Sequence, residues 1–206
     1  LTQDLGTLME KENNPRDFEI NGNNYALIGT NETVNHGGIV VANEQDILTL
    51  ENLKAKDFNK TTGDNKAVVT NAGTVELTNV TFENNSTDIN NNGTLNINED
   101  VTFSSGIIGE GETNVNADLT LGNASISQNN LNILDEANLT ANASNLSISN
   151  GINNSDTLTF TAGTNANTIT GIGTTIIDGT VTNNANITNK VTVNSTKQLT
   201  NNATVE

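Results

Sequence analysis

The sequence predicts an all-β fold: a single-stranded parallel β-helix, or β-solenoid, of roughly ten rungs behind a short N-terminal cap. Two observations carry this. The first is an internal repeat. Gly73-Thr-Val-Glu-Leu-Thr-Asn-Val-Thr-Phe82 aligns with Gly93-Thr-Leu-Asn-Ile-Asn-Glu-Asp-Val-Thr-Phe103 and with Gly111-Glu-Thr-Asn-Val-Asn-Ala-Asp-Leu-Thr-Leu121, at Gly-to-Gly steps of 20 and 18 residues. The second is period-two alternation over three to five residues, separated by Asn/Gly clusters. That pattern marks short half-buried strands joined by turns, and both turn residues tolerate left-handed backbone. A repeat this short cannot bury its own apolar face, but stacked copies can.

Taken in chain order, residues 1–18 are the expected cap. Leu5, Leu8 and Met9 fit one face of a short amphipathic helix ended by Pro15, and a solenoid must cover its first rung. Residues 19–66 read as less regular rungs, with strands at Phe18-Glu-Ile20, Tyr25-Ala-Leu-Ile28, Gly38-Ile-Val-Val41 and Ile47-Leu-Thr-Leu50. Residues 67–206 read as regular Asn/Thr/Gly repeats. Their apolar-Thr/Ser-apolar ending recurs at Leu139-Thr-Ala141, Leu146-Ser-Ile148, Leu158-Thr-Phe160 and Val191-Thr-Val193. Val75, Leu95 and Val115 are expected to stack inside, as are Phe82, Phe103 and Leu121. Asn84, Asn85, Asn91 and Asn92 are expected in turns as rung-to-rung amide ladders. The chain opens at Leu1 without a signal peptide and stops at Glu206 inside a repeat-like phrase, so it reads as an excerpt with a truncated C-terminus.

Composition narrows the function. There are 41 Asn among 206 residues, only 33% of the chain is hydrophobic, and the net charge is −16. No Lys or Arg stands between Lys66 and Lys190. A phosphate-binding protein needs a basic stripe, so nucleic acid and anionic lipid are excluded as expected partners. No run approaches the ~18 apolar residues of a membrane span, so no direct membrane insertion is expected. The absence of cysteine removes disulfides and thiolate zinc sites.

Three phrases resemble repeat-rich bacterial surface proteins, namely autotransporter passenger domains and polymorphic outer-membrane proteins. They are Phe18-Glu-Ile-Asn-Gly-Asn-Asn-Tyr25, Thr49-Leu-Glu-Asn-Leu53 and Thr78-Asn-Val-Thr-Phe-Glu-Asn-Asn85, whose end matches F-x-x-N. Phe103 departs from that motif, and Lys66-Ala-Val-Val69 stands where polymorphic repeats carry Gly-Gly-Ala-Ile. Residues 105–206 resemble the Asn/Thr/Gly repeats of large adhesins. The resemblance implies a right-handed β-helix, export to the bacterial cell surface and anchoring through a part outside this segment. It also implies adhesion to a host or matrix glycan or protein, or self-association.

No catalytic, cofactor or metal site is expected. Polysaccharide-processing β-helices, the leading alternative, need converging carboxylates. The acids at Glu99-Asp100 and Asp135-Glu136 are adjacent and diverge on a strand, whereas Glu110 and Glu112 flank Gly111 and are placed to share a face. The plainer reading of all three is solvated turn charge. His36 has no second His or Cys to complete a site, and Gly171-Ile-Gly173 reads as a turn. The 14 Asn-x-Ser/Thr sequons arise where Asn turns meet Thr-rich strands. Thr81, Thr102 and Thr120 fall at equivalent places between apolar neighbours and are expected to form an exposed column. β-branched strand preference explains that column without function, and an ice-binding Thr face is the sharper but broken alternative. The expectation is a non-enzymatic surface adhesin or structural passenger.

Overall fold

The structure, a computed structural model, describes residues 17–29, 38–59 and 67–205. Most of the expected cap (residues 1–16) and His36 lie outside the described residues. Asp17 and Phe18 are described and open the first strand.

Every strand pairing is parallel, and the strands stack into three walls of a β-solenoid. The first wall stacks β1 (Asp17–Asn21), β4 (Ile47–Lys56), β6 (Thr74–Glu83), β8 (Thr94–Glu99), β10 (Glu112–Val115), β13 (Asn130–Ile133), β16 (Ile152–Asn154) and β19 (Ile169–Thr170), while β2 (Ala26–Ile28) pairs with the end of β4. Bridges carry this wall on to Ile187 and Val205. The second wall stacks β11 (Leu119–Thr120), β14 (Asn138–Ala141), β17 (Thr157–Phe160), β20 (Thr174–Ile177) and β22 (Lys190–Val193). The third stacks β3 (Ile39–Val41), β5 (Val69–Asn71), β7 (Ile89–Asn91), β9 (Gly106–Ile108), β12 (Ser125–Gln128) and β15 (Leu146–Ile148). A separate stack then takes that place in the turn: β18 (Gly163–Asn165), β21 (Thr180–Asn183) and β23 (Gln198–Asn201).

The first wall stacks eight strands and is continued by two bridged residues, Ile187 and Val205, in line with the roughly ten rungs expected. Asp17 pairs with Ile47, Ile47 with Thr74, Thr74 with Thr94 and Thr94 with Glu112, which gives steps of 30, 27, 20 and 18 residues. At ~4.8 Å per rung the stack is on the order of 45 Å long.

Inside, Leu48, Val75, Leu95, Thr113, Leu131, Ile152 and Ile169 form one column, and Leu50, Leu77, Ile97, Val115 and Ile133 form the next. Val115 therefore packs on Ile97, and buried Thr113 takes the place expected for it above Leu95. Each fully buried aliphatic side chain contributes roughly 1.5–3 kcal/mol. Phe82 and Phe103 stack with ring centroids 5.4 Å apart. Corners use left-handed backbone. Asn52, Asn79 and Asp100 have φ of 50°, 52° and 44°, and Asn79 donates to Asn52 Oδ1 at 2.7 Å. The stacked glycines mark where backbones meet, since a Cβ on Gly93 would sit 2.1 Å from the Gly73 carbonyl oxygen.

Candidate functional site

Two amide ladders, one inside and one outside, organise the polar groups. The inner ladder follows a local rule: an Asn ends a third-wall strand four residues before an inward residue of the first wall, as Asn71 precedes Val75 and Asn91 precedes Leu95. Asn71 Oδ1 accepts from the Gly73 amide at 2.9 Å, while its Nδ2 donates to Asn91 Oδ1 at 2.7 Å. The same rule yields Asn165, Asn183 and Asn201, linked at 2.8 and 2.7 Å. Asn71, Asn91, Asn165 and Asn183 are fully buried, and these bonds offset the cost of removing their amides from water.

The outer ladder lies on the solvent side of the first wall. Asn96 donates to Glu76 Oε1 at 2.6 Å, Asn114 to Asn96 Oδ1 at 2.8 Å and Asn132 to Asn114 Oδ1 at 2.8 Å. A second rail joins it, with Asn98 donating to Glu76 Oε2 at 2.8 Å and Asn116 to Asn98 Oδ1 at 2.7 Å. Both rails point their N–H groups at one carboxylate, so the bonds polarise one another toward a charged acceptor. Leu134 succeeds Asn116 along that edge and is partly exposed, while Asn116 Oδ1 is buried without a hydrogen-bond partner. Asn153 and Thr170 continue the main rail in register.

Thr81, near the end of β6, is bridged to Thr102. Thr120 opens a further run in which Thr120, Thr140 and Thr159 are direct partners, before Ile176 interrupts it and Thr192 follows. The three expected threonines all point outward, Thr81 half-buried and the other two exposed. A second Thr line runs through Thr164, Thr182 and Thr200. Beside the Thr140 line run Asn138, Thr157, Thr174 and Lys190, so within these two lines only Thr157 and Thr159 stand together as threonines on one rung.

The acids are dispersed. Asp100 and Glu136 are corner residues with left-handed backbone, Glu110 is exposed, and Glu112 is a half-buried strand residue paired with Thr94 and Asn130. Among the described residues, no three His, Asp or Glu side chains gather as a metal site. Asp88 is fully buried and its partners are internal. Its Oδ2 accepts the amides of Ser104, Ser105 and Gly106 at 2.8–2.9 Å, and its Oδ1 accepts the Ser104 hydroxyl and Asn85 Nδ2. This carboxylate locks one turn to the next. On the surface, Lys54 donates to Glu83 at 2.7 Å; that hydrogen bond and the lysine's charge hold the Glu83 carboxyl below its usual range. Gly171-Ile172-Gly173 is a corner that exposes Ile172.

Sequence reasoning placed Asn91 at a ladder position but missed Asn71, Asn165, Asn183 and Asn201. It also missed the outer rails. The phrases Asn96-Ile-Asn98 and Asn114-Val-Asn116 carry their signal: an amide on each side of an inward residue, repeated one rung apart.

In comparison with known proteins, the chain matches no family model, no curated protein and no solved structure.

Proposed function

We propose that the chain is a non-enzymatic adhesin or structural passenger segment of a bacterial surface protein of the autotransporter or polymorphic outer-membrane type. In this reading it is displayed outside the cell and recognises glycans or proteins of a host or matrix, or other copies of itself. The observation that carries the reading is the outer surface itself: two long walls of amides and hydroxyls in rung register, with carboxylates dispersed among them. Such a surface offers many equivalent weak contacts spread along the rod rather than one concentrated site. Of the six aromatic residues, Phe82, Phe103 and Phe160 are buried, which leaves few rings to stack on a sugar.

Each polar contact exchanges a bond to water for a bond to ligand. Monovalent affinity is therefore expected to be no tighter than about micromolar, made effective by many copies on one surface. A glycan and matrix-protein array probed with the monomeric chain and with bead-clustered chain tests this. Signal only from the clustered form supports the reading. Silence in both formats replaces it with a spacer role, and a tight monovalent hit overturns it.

A further inference from the structure

We infer that the outer amide strip of the first wall, from Asn96 to Asn153, is the recognition surface, and that it takes an uncharged polyhydroxylated chain, a neutral polysaccharide. This rests on the adhesin reading and deepens it.

Charge selects the ligand class. The protein carries a net charge of −16, so polyanions such as uronates, sulfated glycans and nucleic acids are repelled from most of its surface. Along the rail Asn96, Asn114, Asn132 and Asn153, continuing to Thr170, no charged side chain occurs. Glu76 ends the strip, with both carboxylate oxygens already accepting amides. Glu112 lies along one margin. The strip therefore neither attracts a cation strongly nor needs one.

Hydrogen-bond chemistry agrees. Asn96, Asn114 and Asn132 each commit one N–H to the rung before them, which leaves each a second N–H and further lone-pair capacity on its oxygen, while the Asn153 side chain is exposed. Sugar hydroxyls both donate and accept, so they match this mixed array. Apolar and aromatic anchors of peptides or lipids find no counterpart along the rail. Each rail site repeats at the ~4.8 Å rung spacing, so an extended chain lying along the rod meets equivalent sites in succession and gains through multivalency.

The test uses bead-clustered protein with dextran, mannan and carboxymethyl-dextran as soluble probes. Retention of dextran or mannan without retention of the carboxymethylated chain is expected. Asn153→Asp places a charge in the exposed end of the strip. It should reduce capture about tenfold, the equivalent of one good hydrogen bond, whereas Thr140→Asp on the second wall should leave capture unchanged. Circular dichroism of both variants checks that the rod persists, and Thr170→Glu repeats the strip test if Asn153→Asp does not fold. Capture lost in Thr140→Asp but kept in the strip variants overturns this assignment while leaving the adhesin reading standing. Equal retention of neutral and carboxymethylated dextran overturns the ligand class. Failure to retain any polysaccharide overturns the inference, and a hit on a matrix-protein array in the same beads would then preserve the broader reading.

Discussion

Asn91 Nδ2 donates a 2.7 Å hydrogen bond to Oε1 of Gln128, a residue two turns further along the rod. The intervening turn places Gly109 at the ladder position, since Asn90 pairs with Ile108 and Ile107 with Ile126. A missing side chain in one turn is spanned by a longer one in the next. Gln128 also donates to the Asn91 carbonyl at 3.2 Å and to the Ser127 carbonyl at 2.9 Å.

Shortening that reach should break the connection. Gln128→Asn is expected to leave Asn91 Nδ2 and neighbouring carbonyls buried with fewer partners, at a cost of about 1–3 kcal/mol. Urea unfolding measures it. An unchanged midpoint would show that the two-turn bond contributes nothing to stability.

Restoring the repeat should also destabilise. Asn is the ladder residue of other turns, yet Gly109 has φ of 116° and a Cβ there would lie 2.3 Å from the Asn91 carbonyl oxygen. Gly109→Asn meets both backbone strain and collision, so a loss of roughly 2 kcal/mol or more is expected. A more stable variant in thermal melts would refute the spanning role of Gln128.

The solenoid class was legible because its signals are local. Period-two apolar residues and Gly-led turns state how each rung closes, and Val75, Leu95, Phe82 and Phe103 are buried as that pattern requires. Wall assignment was not legible. Leu139-Thr-Ala141 and Leu146-Ser-Ile148 share one phrase but lie on different walls, because alternation reports inside and outside without reporting which side of the turn a strand occupies. The early turns hide the division further: β4 and β6, each ten residues long, run through what later turns divide between two walls. The outer strip depends on rung-to-rung register, which a single rung does not encode.

The Lys54–Glu83 pair predicts a local pH effect. Glu83 titrates below its usual range because Lys54 bonds to it and carries the opposite charge. A depressed folded-state value means that the stabilisation is present above the unfolded carboxyl range and disappears as pH falls through the lowered value. In Lys54→Gln, an NMR titration should show the Glu83 midpoint rising toward an ordinary glutamate, with little change in global unfolding because both side chains are about half exposed. An unmoved midpoint would remove Lys54 as the cause.

Asn167 marks the place where the third wall is interrupted. No strand of the next turn pairs with β15 along this wall. Instead the buried Asn167 side chain stands in for a peptide group: its Oδ1 accepts the Ile148 amide at 2.8 Å, and its Nδ2 donates to the Leu146 carbonyl at 3.0 Å. One turn of 3-10 helix, Ala143–Asn145, meets the new stack, and the Ser144 hydroxyl oxygen accepts the Thr164 amide at 2.8 Å. The first and second walls run past this seam without a break. Asn167→Ala should therefore leave two backbone groups buried and unpaired, each costing about 1–3 kcal/mol, while the flanking walls keep the rod intact. Hydrogen exchange reads the difference by position. The Ile148 amide should exchange much faster than in the parent, with Leu158 and Ile169 on the continuous walls largely unaffected. Uniform acceleration throughout the rod would mean that Asn167 holds the whole fold, and unchanged protection at Ile148 would mean that its side chain does not replace the missing strand.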